Sequence, residues 1–522
     1  MTGASTISRP EVTIAIEGAN QSVSNTDQLV LLVGVMDNAN GTAVPGNLAE
    51  NVPIDFASID ALFGPKSPVA SAARAFRKVN QVTQLDVIPL DPAVGANAAG
   101  LVTFTGTATE DGEITVVVGS EDDHSYTLTI SSGDTATVIG DALEAAITAD
   151  ARSQVTANNT AGAVALTAVF DGLEGNDIPL RVIGGAGQVA GVTAVVTTAM
   201  SSGSGDPSSA STFDVVANQR YQTVVFPGSW DVSVLTGFLD PRFNVTNDVL
   251  DGVGIVTQTD TLANLLSANN ALNSQSLVTL NFNTVAETDF RGSSMLEFEL
   301  NVSAQFAGAR SARLTDGALI SELLVGQQAL DARGGPALAS RPYFNTPFPN
   351  LPLIGIDKGW SEVEIGQLVA AGGSTIGVNK TRTLAIAGTI VTTYKTDAAS
   401  NPDTSFDFLN KVDTASNARE FIFNNLKADF SQFRLTTGSL VPGRPMANSQ
   451  LIRGTLMSYY RTLSGPDYVL TQAGAIAEAT FSENMTISLD LNTGLVTVVF
   501  DKVPLVSQFR EFFGTFRVSF DV

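Results

Sequence analysis

The chain has no cysteine and a single histidine, His124, in 522 residues. Without cysteine it has no disulfide framework, no thiolate zinc site and no sulfur nucleophile. A chain of this kind can fold in a reducing compartment and then work outside it unchanged. Charge is also scarce: Asp, Glu, Lys and Arg make up 15% of the residues, against about 25% in an average globular protein. Basic residues are the scarcer sign, 28 against 52 acids, for a formal net charge of -24. That balance argues against a nucleic-acid-binding surface, which needs clustered Lys and Arg. Met1 to Thr6 hold neither a basic stretch nor an apolar one, so no secretory signal is read there. The apolar run Leu29 to Met36 is far shorter than the roughly 20 residues that cross a bilayer.

What is present is a long, apolar, Gly-rich chain whose length calls for roughly two to four domains. Residues 1–24 read as an arm. Val12, Ile14 and Ile16 alternate with Thr13, Ala15 and Glu17 as in a half-buried strand, between flanks of Ser, Thr, Asn and Gly. Leu29–Val35 is a continuous apolar run expected as a buried strand. Ser67-Pro68 predicts a helix start, with Ser as N-cap and Pro in the first turn. Val69, Ala72, Ala73, Phe76 and Val79 then share one face, and Arg74, Arg77 and Lys78 are expected outside it. Leu85–Leu90 follows as a strand. This β-α-β order predicts a mixed α/β (α+β) multidomain fold, with a discontinuous core domain over 25–96 and 210–345.

Residues 97–209 interrupt that core as a β-rich insertion with one helix through Val138, Ala142 and Ala146, closed by the linker Ser201 to Pro207. The insertion carries fourteen acids and two bases, half of the whole net charge, and is expected to face outward into solvent. From Tyr221 the α/β pattern resumes. Val224–Phe226 and Leu277–Phe282 read as strands, Leu262–Ala268 as a helix, and Met295, Phe298, Val302 and Phe306 as the apolar face of another. A C-terminal α/β domain is expected over 346–494. In it Ser361-Glu362-Val363-Glu364 is a capping box, and Thr375–Val378, Thr383–Ala387 and Thr389–Tyr394 read as strands. Residues 495–522 read as arm strands. In the last of them Phe516, Val518, Phe520 and Val522 alternate with Arg517, Ser519 and Asp521.

No convergent catalytic constellation is visible. His124 lies in the polar run Glu121-Asp122-Asp123-His124-Ser125 and reads as an exposed turn residue; the partners of a triad or zinc site are missing. Three adjacent carboxylates do not make a calcium cage. Gly372-Gly373-Ser374-Thr375 lacks the lysine of a phosphate loop and follows a helix, so it reads as a helix C-cap. No cofactor and no metal ligand is therefore expected. One charge feature runs against the acidic trend. Lys411, Arg419, Lys427, Arg434, Arg444, Arg453 and Arg461 face only Asp413, Glu420 and Asp429 in the same stretch. They are read either as a solvated helical face or as a basic patch that docks on an acidic partner.

The order of these pieces resembles the tail sheath proteins of contractile bacteriophages, most closely the Mu-type sheaths. The resemblance rests on Leu62-Phe63-Gly64-Pro65-Lys66-Ser67 leading to Ala73-Arg74-Ala75-Phe76-Arg77-Lys78, then Val87-Ile88-Pro89-Leu90. In the insertion it rests on Val155-Thr156-Ala157, Leu166-Thr167-Ala168, Gly175-Asn176-Asp177-Ile178 and Gly203-Ser204-Gly205-Asp206-Pro207, and later on Leu351-Pro352-Leu353 and Val391-Thr392-Thr393-Tyr394. The loop Lys395 to Asp403 is longer than the family's, and Gly228-Ser229-Trp230-Asp231 departs from its acidic strand ending.

The resemblance implies a structural subunit, not an enzyme, in hexameric rings stacked as a helical sleeve around a tail tube. Contraction of that sleeve drives the tube through the bacterial envelope for genome delivery. Its partners would be other copies of itself by strand exchange, the tail tube protein, and baseplate and tail terminator proteins, with no direct nucleic-acid contact and no membrane insertion. It would assemble in the host cytoplasm and reside in the virion. The two arms would link neighbouring subunits, and the 346–494 domain with its basic residues would face the tube. The alternatives are another virion structural protein, such as a tube or fibre subunit, and an extracellular adhesin-like surface protein.

Overall fold

The computed structural model describes residues 28–120, 123–183, 188–243, 248–283, 297–315, 360–378, 384–387, 389–441, 443–465 and 470–506. The order begins β1 (Leu29–Val35), α1 (Phe56–Phe63), α2 (Pro68–Val79), β2 (Gln84–Leu90). The insertion follows as β3 (Asn97–Gly106), β4 (Gly112–Val118), β5 (Ser125–Ile130), α3 (Ala136–Ala149), β6 (Val155–Thr160), β7 (Ala163–Asp171), β8 (Leu180–Ile183) and β9 (Val192–Ser201). The core resumes with β10 (Thr223–Val225), α4 (Val232–Leu239), β11 (Val253–Asp260), α5 (Leu262–Ala271), β12 (Leu277–Asn283) and α6 (Glu299–Thr315). Then come α7 (Glu362–Ala370), β13 (Ser374–Val378) and β14 (Leu384–Ala387). The last part holds α8 (Leu409–Phe430), the two-residue strands β15 (Arg434–Leu435) and β16 (Met446–Ala447), α9 (Ser449–Leu463), α10 (Ala475–Glu483), β17 (Met485–Asp490) and β18 (Leu495–Phe500).

The mixed α/β reading holds. Seven strands form one sheet in the order β14-β13-β12-β11-β10-β1-β2, parallel throughout except for the antiparallel β13–β14 pair. Parallel strands are covered on both faces, which is why β1 reads as an unbroken apolar run with Val30 to Val33 fully buried. Pro89 has no N–H for the ladder and sits in the terminal strand β2. The C-terminal domain expected from residue 346 does not begin as a separate body, because β13 and β14 hydrogen-bond into this sheet. Thr389–Tyr394, expected as a strand, makes one isolated bridge, Val391 to Phe408. Its amides are taken elsewhere: Val391 N donates to Ser374 Oγ at 3.0 Å and Thr393 N to the Leu277 carbonyl at 3.0 Å.

The helix at Ser67-Pro68 forms as read, with the Ser67 hydroxyl accepting from Ala70 N. The expected polar side does not. Arg74 and Arg77 are 2% and 3% exposed, because α2 packs against β1, α1 and α6 at once. Arg77 donates to the carbonyls of Val52 and Thr83 at 2.5 and 2.8 Å, and Arg74 pairs with Asp60.

The insertion is β-rich as expected. It is built from the antiparallel sheets β6-β7-β3-β9 and β5-β4-β8, with α3 packed on β3, β5 and β6. One continuous apolar cluster runs from the core sheet into it, taking in Phe76, Val87, Phe104, Leu143 and Phe170. A second cluster is formed by α8, α9, α10 and the β17–β18 hairpin, around Ile422, Leu456, Tyr460 and Phe481. There Tyr460 and Phe481 stack at 4.3 Å.

Candidate assembly surfaces

The arm residues Val12, Ile14 and Ile16, and Phe516, Val518, Phe520 and Val522, lie outside the described residues. Surfaces able to receive a strand are described. β17 and β18 pair in register from Met485↔Phe500 to Asp490↔Leu495 and form a two-stranded sheet. Ile487, Leu489, Val496, Val498 and Phe500 turn toward the helical cluster. Leu495 and Val499 turn outward and are more than half exposed, as is Leu491 at the tip. Neither outer edge of this hairpin is paired with a further strand among the described residues, so its backbone donors and acceptors form a template for another chain.

The seven basic residues divide. Lys411 pairs with Asp407 at 2.6 Å, Arg419 with Asp251, and Arg461 with Glu478 at 2.8 Å. Arg453 donates to the carbonyls of Ser482 and Met485 at 2.5 and 2.8 Å, tying α9 to the start of β17. Lys427, over the Phe423 ring, and Arg434 and Arg444 are exposed. These three have no carboxylate partner among the described residues. The stretch is thus partly internal wiring, with three residues left to make a surface charge.

Sequence reasoning missed the buried ion pairs that join α8 to the core. Arg310 in α6 meets Asp413 at 2.5 Å, both almost fully buried, and also donates to the Gln222 carbonyl at 2.6 Å. Arg220 meets Glu420 at 2.6 Å, and the Ser416 hydroxyl donates to Asp251 at 2.9 Å. The available signal was Arg310 inside the small-residue run Ala307-Gly308-Ala309-Arg310-Ser311-Ala312, where a solvated arginine is out of place.

His124 is not an exposed turn residue. It is 3% exposed. Its Nδ1 lies 2.8 Å from Asp150 Oδ2, and the Tyr126 hydroxyl donates to the same oxygen at 2.9 Å. Burial pushes the Asp150 carboxyl up, but the bonds from His124, the Arg152 amide and Tyr126 outweigh it and hold the group at about 2. This is a structural bond at the foot of the insertion. Among the described residues no group of three or more His, Cys, Asp or Glu side chains could hold a metal.

The insertion is seated on the core by polar contacts as well as apolar ones. Arg152 donates from Nη2 to Asp60 at 2.7 Å, Lys78 meets Asp123 at 3.1 Å, and the Ser120 hydroxyl donates to Glu297 at 2.7 Å. Its 3-10 turn Leu173–Asp177 sits near Val35 and Ser229, at the carboxyl ends of β1 and β10. The chain leaves β1 toward β2 and leaves β10 toward β11, in opposite directions, and open α/β sheets usually bind ligands at such a place. Here the protein's own chain occupies it. The glycines after α7 end a helix: Gly372 has φ +86° and the Gly373 amide donates to the Leu368 carbonyl at 2.8 Å.

The fold and these surfaces define a multidomain mixed α/β protein with buried junctions, and no convergent catalytic group among the described residues. No family model matches the chain. The Mu-like prophage FluMu tail sheath protein of Haemophilus influenzae (strain ATCC 51907 / DSM 11121 / KW20 / Rd) is 25% identical over 463 residues, covering 87% of this chain and 86% of that protein. The sheath tail protein of Desulfitobacterium hafniense superposes with a TM-score of 0.43 at 12% identity, over 93% of this chain and 98% of that one. The resemblance to Mu-type tail sheath proteins read from the sequence motifs is thus shown over most of the chain by its match to the Haemophilus protein. No helix among the described residues is long and apolar enough to cross a membrane.

Proposed function

We propose that the chain is a structural, non-enzymatic subunit of a contractile phage tail sheath, stacking as hexameric rings in a helical sleeve around a tail tube. The observation that carries this reading is the match to a tail sheath protein along nearly the whole of both chains. On this reading the protein resides in the virion after assembly in the host cytoplasm. Contraction of the sleeve drives the tube through the envelope for genome delivery, and the sleeve is bounded by baseplate and tail terminator proteins.

The two edges of β17–β18 that stay unpaired among the described residues support strand exchange, one edge for each arm of neighbouring copies. Backbone ladders of this kind hold while side-chain contacts between subunits change. Lys427, Arg434 and Arg444 are the part of the basic stretch free to meet an acidic tube surface. On this reading the acidic insertion, which is docked on α1 and α2, faces outward from the sleeve.

The test is sedimentation of the full chain beside a chain ending at Gly514. The full chain should pellet as large assemblies. The shortened chain should stay soluble, folded by circular dichroism and unassembled. Equal assembly by both would remove the C-terminal arm from the mechanism.

A further inference from the structure

The turn that fills the crevice brings carboxyls together with no counter-charge among the described residues. Glu174, in the middle of Leu173–Asp177, is 1% exposed. Its carboxyl has no side-chain hydrogen-bond partner among the described residues, and its one polar contact is with the Val35 backbone at the end of β1. Asp177, in the same turn, faces the Ser229 hydroxyl beyond β10. Glu299, the first residue of α6, is buried against Thr259 of β11. Asp206 from the returning linker and Asp260 at the end of β11 add negative charge to the same place. No Lys, Arg or His stands among the described groups that act on these three carboxyls.

Two buried carboxylates, Glu174 and Glu299, and the half-buried Asp177 between them, with no cation among the described residues, are tolerated only if they are largely neutral. The N-terminus of α6 favours negative charge at Glu299, but burial outweighs it and raises the group well above the usual carboxylate range. Burial does the same to Glu174, and it pushes Asp177 up to about 7. We propose that this junction is a proton-operated latch between the insertion and the core sheet. While its carboxyls are neutral, the Leu173–Asp177 turn stays seated over the ends of β1 and β10; ionisation unseats it. The opening is local, because Arg152 and Asp123 still hold the insertion to α1 and α2 on its other side. The latch does not depend on the assembly reading.

The direction follows from linkage. The folded junction binds protons more tightly than the unfolded chain. Its contribution is therefore full below about pH 4, the ordinary carboxylate value, and falls as pH rises through about 7.

The test is amide hydrogen exchange of the full chain at pH 6 and pH 8.5, corrected for the intrinsic rate and read on peptides covering 170–180. One proton released per opening makes local opening about tenfold more frequent for each pH unit up to about 7, where the seated Asp177 itself ionises, and roughly tenfold in all between pH 6 and pH 8.5. Glu174→Gln with Asp177→Asn should flatten that dependence, while peptides from α3 stay unchanged in both proteins. Equal protection of 170–180 at the two pH values in the natural chain overturns the latch. So does a pH dependence that survives in the variant. If the double variant does not fold, Asp177→Asn alone must weaken the dependence, and an unaltered profile overturns the proposal. Restoration of protection at pH 8.5 by added calcium would also overturn it, by showing a cation site in place of a proton site.

Discussion

Asp60 in α1 receives two guanidinium groups from different parts of the chain, Arg74 of α2 and Arg152 of the insertion. Arg74 is the deeply buried partner, and its loss leaves a cavity and a half-buried carboxylate with one remaining cation. Arg74→Ala should therefore cost about 3 kcal/mol in urea unfolding, the scale for breaking a buried pair. A loss under about 0.5 kcal/mol, the scale of exposed pairs, would show that Asp60 is satisfied by Arg152 alone. Asp150 gives a pH signature of opposite sign to the latch. Its folded carboxyl is held at about 2, so its stabilisation is present above the ordinary value near 4 and is lost as pH falls toward 2. Asp150→Asn should reduce the loss of thermal stability between pH 4 and pH 2; an identical acid profile would contradict the assignment. The Arg74 and His124 environments were not legible in the sequence. Helical periodicity places Arg74 off the apolar stripe, and the acids beside His124 suggest solvent. Only the three-sided packing of α2 and the distant Asp150 reverse those readings.

At the scale of elements, local signals did most of the specifying. Ser361 caps α7 in a reciprocal box, its hydroxyl accepting from Glu364 N while the Glu364 carboxylate accepts from Ser361 N at 2.8 Å. Ser361→Ala should lower stability by about 1 kcal/mol; an unchanged urea midpoint would show that packing of Leu368 alone holds the helix. β1, β2, β12 and the alternating insertion strands were readable because their burial pattern is their sequence pattern. β11 was not, since Val253 to Val256 are buried while Gln258, Thr259 and Asp260 run out half-exposed, and the polar end hides the strand. Thr389–Tyr394 failed in the other direction. It has strand-forming residues, but its backbone bonds go to Ser374 and Leu277 instead of a ladder. Periodicity records which face is buried and not which partner a backbone finds.

Among the described residues, a mostly parallel sheet shares one apolar cluster with its insertion and is joined by ion pairs to a helical body that includes the β17–β18 hairpin. The β-rich insertion was legible because the composition changes there. The place where the C-terminal body separates was not, because β13 and β14 return to the core sheet. The basic stretch reads as one patch in sequence, yet four of its seven residues are paired within the chain, Arg461 among them on the surface. Charge reversal should therefore act on assembly only at Lys427, Arg434 and Arg444, which have no carboxylate partner among the described residues. Arg434→Glu with Arg444→Glu should weaken assembly on the tail tube protein at low salt and leave folding unchanged, the difference fading by about 0.5 M salt as screening removes it. Equal assembly at every ionic strength would remove the patch from the interface. The most direct test of the proposed role is negative-stain electron microscopy of the purified full chain. Hollow helical sleeves of constant diameter are expected, and uniformly small, separate particles at every concentration would contradict a sheath subunit.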